Sequence, residues 1–431
     1  KCPEAAATGF LVFFAFLGLL IFIAANVYLR FKNASRFKVR RDGTETDTTA
    51  TTTRRTIVTH LQCLGLIHAL NVTWPVSISS MFDVFNTVGS FDTHIASIEC
   101  SRHEATSFQT KLAFPIAFHA EMLYSQAVLM LFLPPLIIFV TWFYWIHGAA
   151  KFEKLRCKRE LRISFSPYST KGMTVQNWQE INHSDSKNVF VPSAKDAFIM
   201  SFTLVLYIIH PSISRFLFKM LACHELQGIR YLGVDMLESC DANRWKIYVG
   251  LTIVPSIILY VIGIPLLTLI YINRVHREKE NNPVQFRILQ FRVGLLFSGY
   301  KSDKWWWEVF VSLRKQVIIL IATFGKNDTN QVHYALAFML CFCTLHISNT
   351  PFDSYRSHVL EIFSLTMLCF LLWVAVFFRL EDQCSGNSDD KYHWCNFLGF
   401  LAIASNVLFL MYAMVQFLKA FVKKHHLDEK F

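Results

Sequence analysis

Gly9-Phe10-Leu11-Val12-Phe13-Phe14-Ala15-Phe16-Leu17-Gly18-Leu19-Leu20-Ile21-Phe22-Ile23-Ala24-Ala25-Asn26-Val27-Tyr28-Leu29 contains no charged residue, and it stops at Arg30-Phe31-Lys32. A membrane-crossing helix needs about 20 predominantly apolar residues, often bounded by bases or interfacial aromatics, and this stretch meets both conditions. Comparable runs recur at 57–82, 124–146, 197–223, 246–272, 306–324, 332–348, 359–378 and 396–418. The chain therefore reads as an all-α, polytopic membrane bundle of about nine helices. The run 57–82 is interrupted by His60, Gln62, His68, Asn71 and Pro75, and it stays open between a span and an interfacial hairpin.

Composition agrees. Of 431 residues, 53% are hydrophobic and 15% aromatic, which excludes a water-facing soluble enzyme, a disordered chain and a small disulfide scaffold. The formal charge of +11 belongs on one membrane face rather than on nucleic acid. Basic residues cluster after 29 (Arg30, Lys32, Arg36, Lys38, Arg40, Arg41, Arg54, Arg55), after 147 (Lys151 to Arg162), after 272 (Arg274 to Arg292) and at Lys423 and Lys424. The intervening loops are richer in acids, among them Asp83, Glu99, Glu225, Asp235, Glu381 and Asp389. The positive-inside rule then predicts an outer amino terminus and a cytosolic carboxyl terminus.

The expected division is an extracellular end at 1–8, an amino-terminal membrane part at 9–147 with about three spans, a cytosolic loop at 148–195, a core at 196–421 with about six spans, and a cytosolic tail at 422–431. The Thr-rich, charged stretch within 31–56 reads as a mobile linker.

On this topology Cys2, Cys100, Cys223, Cys240, Cys384 and Cys395 face the oxidising side. Cys223 with Cys240, and Cys384 with Cys395, each bracket a short loop and are expected to be bridged. Cys2 either pairs with Cys100 or belongs to an upstream framework. Cys63, Cys157, Cys341, Cys343 and Cys369 are expected to stay free. Asn327-Asp328-Thr329 is the one glycosylation sequon placed on an outer loop.

No nucleotide-binding glycine loop, His-Glu-x-x-His helix, paired Cys-x-x-Cys or serine elbow is present, so no catalytic residue, metal site or cofactor is expected. The residues that ask for an explanation are charges inside a span, which insertion scales penalise by roughly 2.5 to 3.5 kcal/mol at mid-bilayer. After Trp305, Trp306 and Trp307, read as interfacial anchors, come Glu308 and then Arg314-Lys315, with Arg314 roughly 12 Å along the helix from Trp306. Glu308 and Glu361 are expected to neutralise Arg314 and Lys315, either as a structural salt-bridge cluster or as a gate. Gly263 and Pro265 form a candidate hinge or a static kink. The segment from Phe286 to Tyr300 reads as an amphipathic element on the inner leaflet, a tension transmitter or an anchor.

Several short motifs carry a resemblance in their order along the chain: His60-Leu61-Gln62 with Asn71-Val72-Thr73-Trp74-Pro75, Ile98-Glu99-Cys100-Ser101, His210-Pro211-Ser212, Tyr231-Leu232-Gly233-Val234-Asp235 before Cys240, Val261-Ile262-Gly263-Ile264-Pro265, and Gly299-Tyr300 through Trp307-Glu308 to Arg314-Lys315. Together they resemble the carboxyl-terminal membrane module of large protist surface proteins with ephrin-receptor-like cysteine-rich repeats. That module is described as similar to transient-receptor-potential or polycystin channels. Lys1-Cys2-Pro3-Glu4 resembles the end of such a repeat. The resemblance implies an extracellular stalk upstream, a plasma or ciliary membrane, and cation conduction in response to force or ligand, although no selectivity-filter sequence like the channels' is found. The other readings are a non-conducting anchor for an extracellular filament, and a transporter or lipid scramblase. The expected partners are membrane lipids, the upstream extracellular region or filament proteins, and further copies of the chain.

Overall fold

The computed structural model describes residues 49–72, 134–145, 193–281, 283–325, 330–380 and 393–429, with positions 74, 78, 82, 128, 131, 132 and 147. The run 9–29, Cys2, Cys100, Cys157, Cys384 and Asn327 lie outside the described residues.

The described chain is mostly helical, and five of its helices are long and apolar enough to cross a bilayer: Ala194–Lys219, Asn243–Arg277, Gln331–Asn349, Tyr355–Arg379 and Trp394–Ala420. In chain order the elements are α1 (Thr49–His68), α2 (Pro134–Trp145), α3 (Ala194–Lys219), β1 (Cys223–Leu226), β2 (Ile229–Leu232), β3 (Asp235–Ser239), α4 (Asn243–Tyr248), α5 (Val254–Ser256), α6 (Gly263–Asn281), α7 (Pro283–Phe297), α8 (Trp307–Phe324), α9 (Gln331–Asn349), α10 (Tyr355–Leu380) and α11 (His393–Glu429). The helix α8 is also 18 residues long, and the charges of Glu308, Arg314 and Lys315 set it apart from those five.

The linker expected up to residue 56 ends earlier, and the run 57–82 is not one helix. Helix α1 starts at Thr49 and finishes at His68, with Thr52, Thr53, Arg55, Thr56 and every residue from Thr59 to Ile67 buried. Threonine is a weak helix former because its branched Cβ loses rotamer freedom. The helix persists because its hydroxyls are satisfied by neighbours: Thr52 shares a 2.7 Å bond with Ser357, and Thr59 one of 2.8 Å with Tyr207. It packs against α8, α10 and α11 and so lies inside the bundle.

The start of α3 is set by Ser193, whose side chain caps the Asp196 amide while Asp196 accepts from the Ser193 amide at 2.7 Å. Asp196 also pairs with Arg292 at 2.7 Å, tying α7 to α3. Leu289, Phe291, Val293 and Leu295 are buried, so α7 is packed into the bundle rather than laid by one apolar face on a leaflet. Two π-helical stretches, Val249–Ile253 and Ile257–Ile262, precede α6, and Gly263 stands where the second returns to α-helical bonding. A Cβ at Gly263 would lie 3.1 Å from the Ile258 carbonyl oxygen, so this candidate hinge is a point of close approach. Pro265 lies in the first turn of α6.

An all-α description is incomplete, because α3 is followed by a three-stranded antiparallel sheet in the order β1-β2-β3. Gln227 at φ 54 and Gly228 at φ 82 make the tight β1–β2 turn, with Leu226 opposite Ile229. Cys223 and Cys240 are joined by a disulfide across a sequence separation of 17. Arg230 and Asp241 are ion-paired at the surface, and the Arg230 hydrogen bond holds the Asp241 carboxyl below its ordinary value. Cys395 is also disulfide-bonded, with its partner outside the described residues, while Cys63, Cys341, Cys343 and Cys369 are free. Removing the Cys223–Cys240 bridge with a double serine variant should destabilise the sheet by about 3 kcal/mol, the cost of a loop of similar length. Hydrogen exchange should accelerate over 223–240 and stay unchanged in α1 and α8; equal exchange throughout would contradict this.

Two loops bring the start of α8 beside the start of α10. Helix α9 ends at Thr350, in a left-handed conformation with φ 39, and Pro351 follows. The Lys301 amide donates to the Pro351 carbonyl at 2.9 Å, the Asp353 amide donates to the Gly299 carbonyl at 3.0 Å, and Tyr300 bridges Phe352. Glu308, in the first turn of α8 where the helix dipole favours a carboxylate, and Glu361, in the second turn of α10, are both buried in the interior.

Candidate functional site

The buried polar residues of α1, α8 and α10 form a connected seam. Arg314 is 1% exposed and its two terminal nitrogens reach Glu361 Oε1 at 3.3 and 3.2 Å. Thr56 donates to the other Glu361 oxygen at 2.9 Å. The Arg314 guanidinium also lies 4.6 Å from the Phe342 ring centroid. The Glu361–Arg314 pairing expected from sequence is thus present in the geometry, with a threonine from the supposed linker completing it.

Glu308 does not join that pair. Its Oε2 is 3.3 Å from Arg55 Nε and accepts from the Tyr300 hydroxyl at 2.8 Å. Arg55 in turn donates to the carbonyls of Leu295 at 3.0 Å and Ser298 at 3.3 Å, and it sits 4.2 Å from the Tyr300 ring centroid. A guanidinium suits this role because its fixed fork serves a carboxylate and two carbonyls at the C-terminal end of α7 together.

Among the described residues, no carboxylate is hydrogen-bonded to Lys315. Its Nζ donates to Gln62 Oε1 at 2.7 Å and lies 4.5 Å from the Tyr207 ring centroid. Gln62 passes its amide hydrogens to the carbonyls of Ile208 at 3.1 Å and Tyr207 at 3.4 Å. His60 continues the seam, with Ser364 at 2.9 Å and Asn406 at 3.1 Å on its two ring nitrogens. Among the described residues, Glu308 Oε1, Arg314 Nε and both nitrogens of His346 are buried without a hydrogen-bond partner, and His346 stacks on His358 at 5.1 Å. The seam is dense but not fully satisfied, a costly condition in a low-dielectric interior.

The three tryptophans separate. Trp305 stacks on His276 at 5.9 Å and Trp306 is half-buried, whereas Trp307 is 1% exposed and packs against Phe310, Phe342 and His346. Trp307 is a core residue rather than an interfacial anchor, because Phe342 and His346 of α9 pack over the face that it presents. Gly263 and Pro265 lie on α6, outside the seam's hydrogen-bonded members. Sequence reasoning missed Arg55, Thr56, Gln62, Tyr207 and Tyr300. A usable signal was the spacing of Thr52, Thr56 and Thr59, which marks one helical face running into His60 and the following apolar residues.

The chain is 21% identical over 357 aligned positions to "Cysteine repeat modular protein A" of Toxoplasma gondii, a match that covers 74% of this chain and 11% of that protein. The chain thus spans about a tenth of the length of the curated relative it matches. No protein-family model matches the sequence. No solved structure matches it.

Proposed function

We propose that this chain is the membrane base of a larger cysteine-rich surface protein, and that it gates cation flow with the buried seam as its latch. The observation that carries the reading is the pair of buried ion pairs, Arg55–Glu308 and Arg314–Glu361, which join α1, α8 and α10. Ionisable residues inside a membrane bundle are expensive and tend to sit at ion pathways or moving parts. The seam also has polar atoms without a hydrogen-bond partner among the described residues, each costing about 1–3 kcal/mol, so a rearrangement that satisfied them would recover part of the cost of parting the latch.

Its charge balance favours a latch over a conducting lumen. Arg55, Arg314 and Lys315 face Glu308 and Glu361, leaving one surplus positive charge that repels a passing cation. Ions would then move along a neighbouring path, between copies of the chain or beside α6, when the latch parts. The finer topology goes with this reading: about nine spans, an outer amino terminus, a cytosolic carboxyl terminus, and placement in a plasma or ciliary membrane. The basic loops support that orientation, and the similarity to a cysteine-repeat protein supports an extracellular stalk. No catalytic step enters the reading.

Reconstitution of the full chain in planar bilayers tests it. Single-channel cation currents that rise with bilayer tension, or in Glu361→Gln, are the expected result. A silent bundle that stays attached to extracellular fibres would replace this reading with a non-conducting anchor. Lipid or solute flux without ion steps would replace it with a transporter or scramblase.

A further inference from the structure

The sheet between α3 and α4 is built the wrong way round for a hydrated hairpin. Met236 is 52% and Leu237 79% exposed, and Val234 in the preceding turn is 47% exposed, while the acid between them and the disulfide, Glu238, is turned inward onto Arg244 at 2.6 Å. Leu226 and Ile229, at the β1–β2 turn, are also 51% and 47% exposed, and at the other end of the sheet a register irregularity accompanies the inversion. Leu232 faces Asp235 and Tyr231 faces Ser239, so the residues between Asp235 and Ser239 bulge out of the ladder. The bulge is pinned where the Leu237 amide donates to Asp235 Oδ1 at 3.0 Å.

The location of this corner says what covers it. Leu232 is level with Cys223, which follows closely on the end of α3 at Lys219, so the Val234–Leu237 corner is at the helix-facing end of the sheet and the Gln227–Gly228 turn is at the far end. Cys240 is tied back to Cys223, and the helix Asn243–Arg277 begins three residues later. That helix opens with half-buried Trp245 and Tyr248 and exposed Lys246, residue types that gather at the membrane–water boundary. Its outward strip then starts with Ile247 at 59% and Leu251 at 74% exposure. The apolar corner therefore continues a lipid-facing strip at the height where lipid begins.

We propose that Val234, Met236 and Leu237 form a wedge that enters the phospholipid acyl chains of the leaflet at the start of the helix Asn243–Arg277. The wedge rests on that helix crossing the bilayer and does not depend on conduction. It fixes the sheet, and through Cys223–Cys240 the end of α3, to the lipid at one depth.

The test uses the full chain in phosphatidylcholine vesicles, with an environment-sensitive fluorescent amino acid placed by codon suppression at 237, and in parallel at 227 and 258. Vesicles with brominated acyl chains should quench the probe at 237 roughly twofold, as for a residue seated in the acyl region, and leave that at 227 unchanged. The probe at 258, on the exposed strip of the helix, reports whether the helix itself meets lipid. Quenching at 258 but not at 237 overturns the wedge and leaves the span standing; no quenching at either removes both. A blue-shifted, unquenched probe at 237 assigns the corner to protein contact and also overturns the proposal. Should the variant at 237 fail to fold, the probe at Met236 replaces it with the same outcomes.

Discussion

Glu361→Gln is expected to cost about 3–5 kcal/mol of folding stability, the range for removing one partner of a buried ion pair. The loss arises because Arg314, at 1% exposure, keeps its charge with no compensating carboxylate, and Thr56 loses its anionic acceptor. Thermal melts in bicelles measure the change, and a cycle with Arg314→Met separates the pair from its surroundings. The double variant should lose less than the two single losses added together, because neither charge is then orphaned. Exchanging the two residues, Arg314→Glu with Glu361→Arg, should recover only part of the stability, since the Thr56 hydroxyl is positioned to donate to a carboxylate. A Glu361→Gln protein that melts and conducts like the parent would end the case for a latch at this position.

Arg55→Met should be about as damaging, again about 3–5 kcal/mol, because Glu308 is 3% exposed and loses its ion pair. A second consequence distinguishes this site from the first. Arg55 also holds the Leu295 and Ser298 carbonyls and packs on Tyr300, so hydrogen exchange should rise across 295–300 before it rises in α10. Arg55→Lys retains the charge but not the planar fork, and should fall between the two. The double variant Arg55→Met with Glu308→Gln should be milder than Arg55→Met alone, because Glu308 is then no longer a buried charge without its partner. Uniform exchange across the bundle in Arg55→Met would show that the residue does not act through α7.

The legible parts of this chain were those where apolar length alone carries the signal. Helices α3, α9, α10 and α11 follow runs whose boundaries are visible in hydropathy, and the Cys223–Cys240 bridge follows from the short loop between its two ends. The Arg314–Glu361 pair was within reach because a buried charge must find its opposite and few acids start a span. The start of helix α1, up to residue 56, was not legible, since threonines and two arginines in water read as a loop; only neighbours distant in sequence turn them into part of a core helix. Trp307 was misread for a related reason: tryptophans at a span's end usually meet lipid headgroups, but here α9 packs over one of them. The sheet escaped because its strands are short and its bulge breaks the alternation that would reveal them.

The burial of α1 has a consequence for biogenesis. Thr56 finds Glu361 across a sequence separation of 305, and His60 finds Asn406 across 346. At ribosomal speeds of about 5–20 residues per second, His60 waits roughly 15 to 70 s before its last partner is synthesised. During that interval a helix rich in hydroxyls and guanidinium groups has only part of its bundle to enter, and its polar face is left for the insertion machinery or a chaperone to shelter until the final helices arrive.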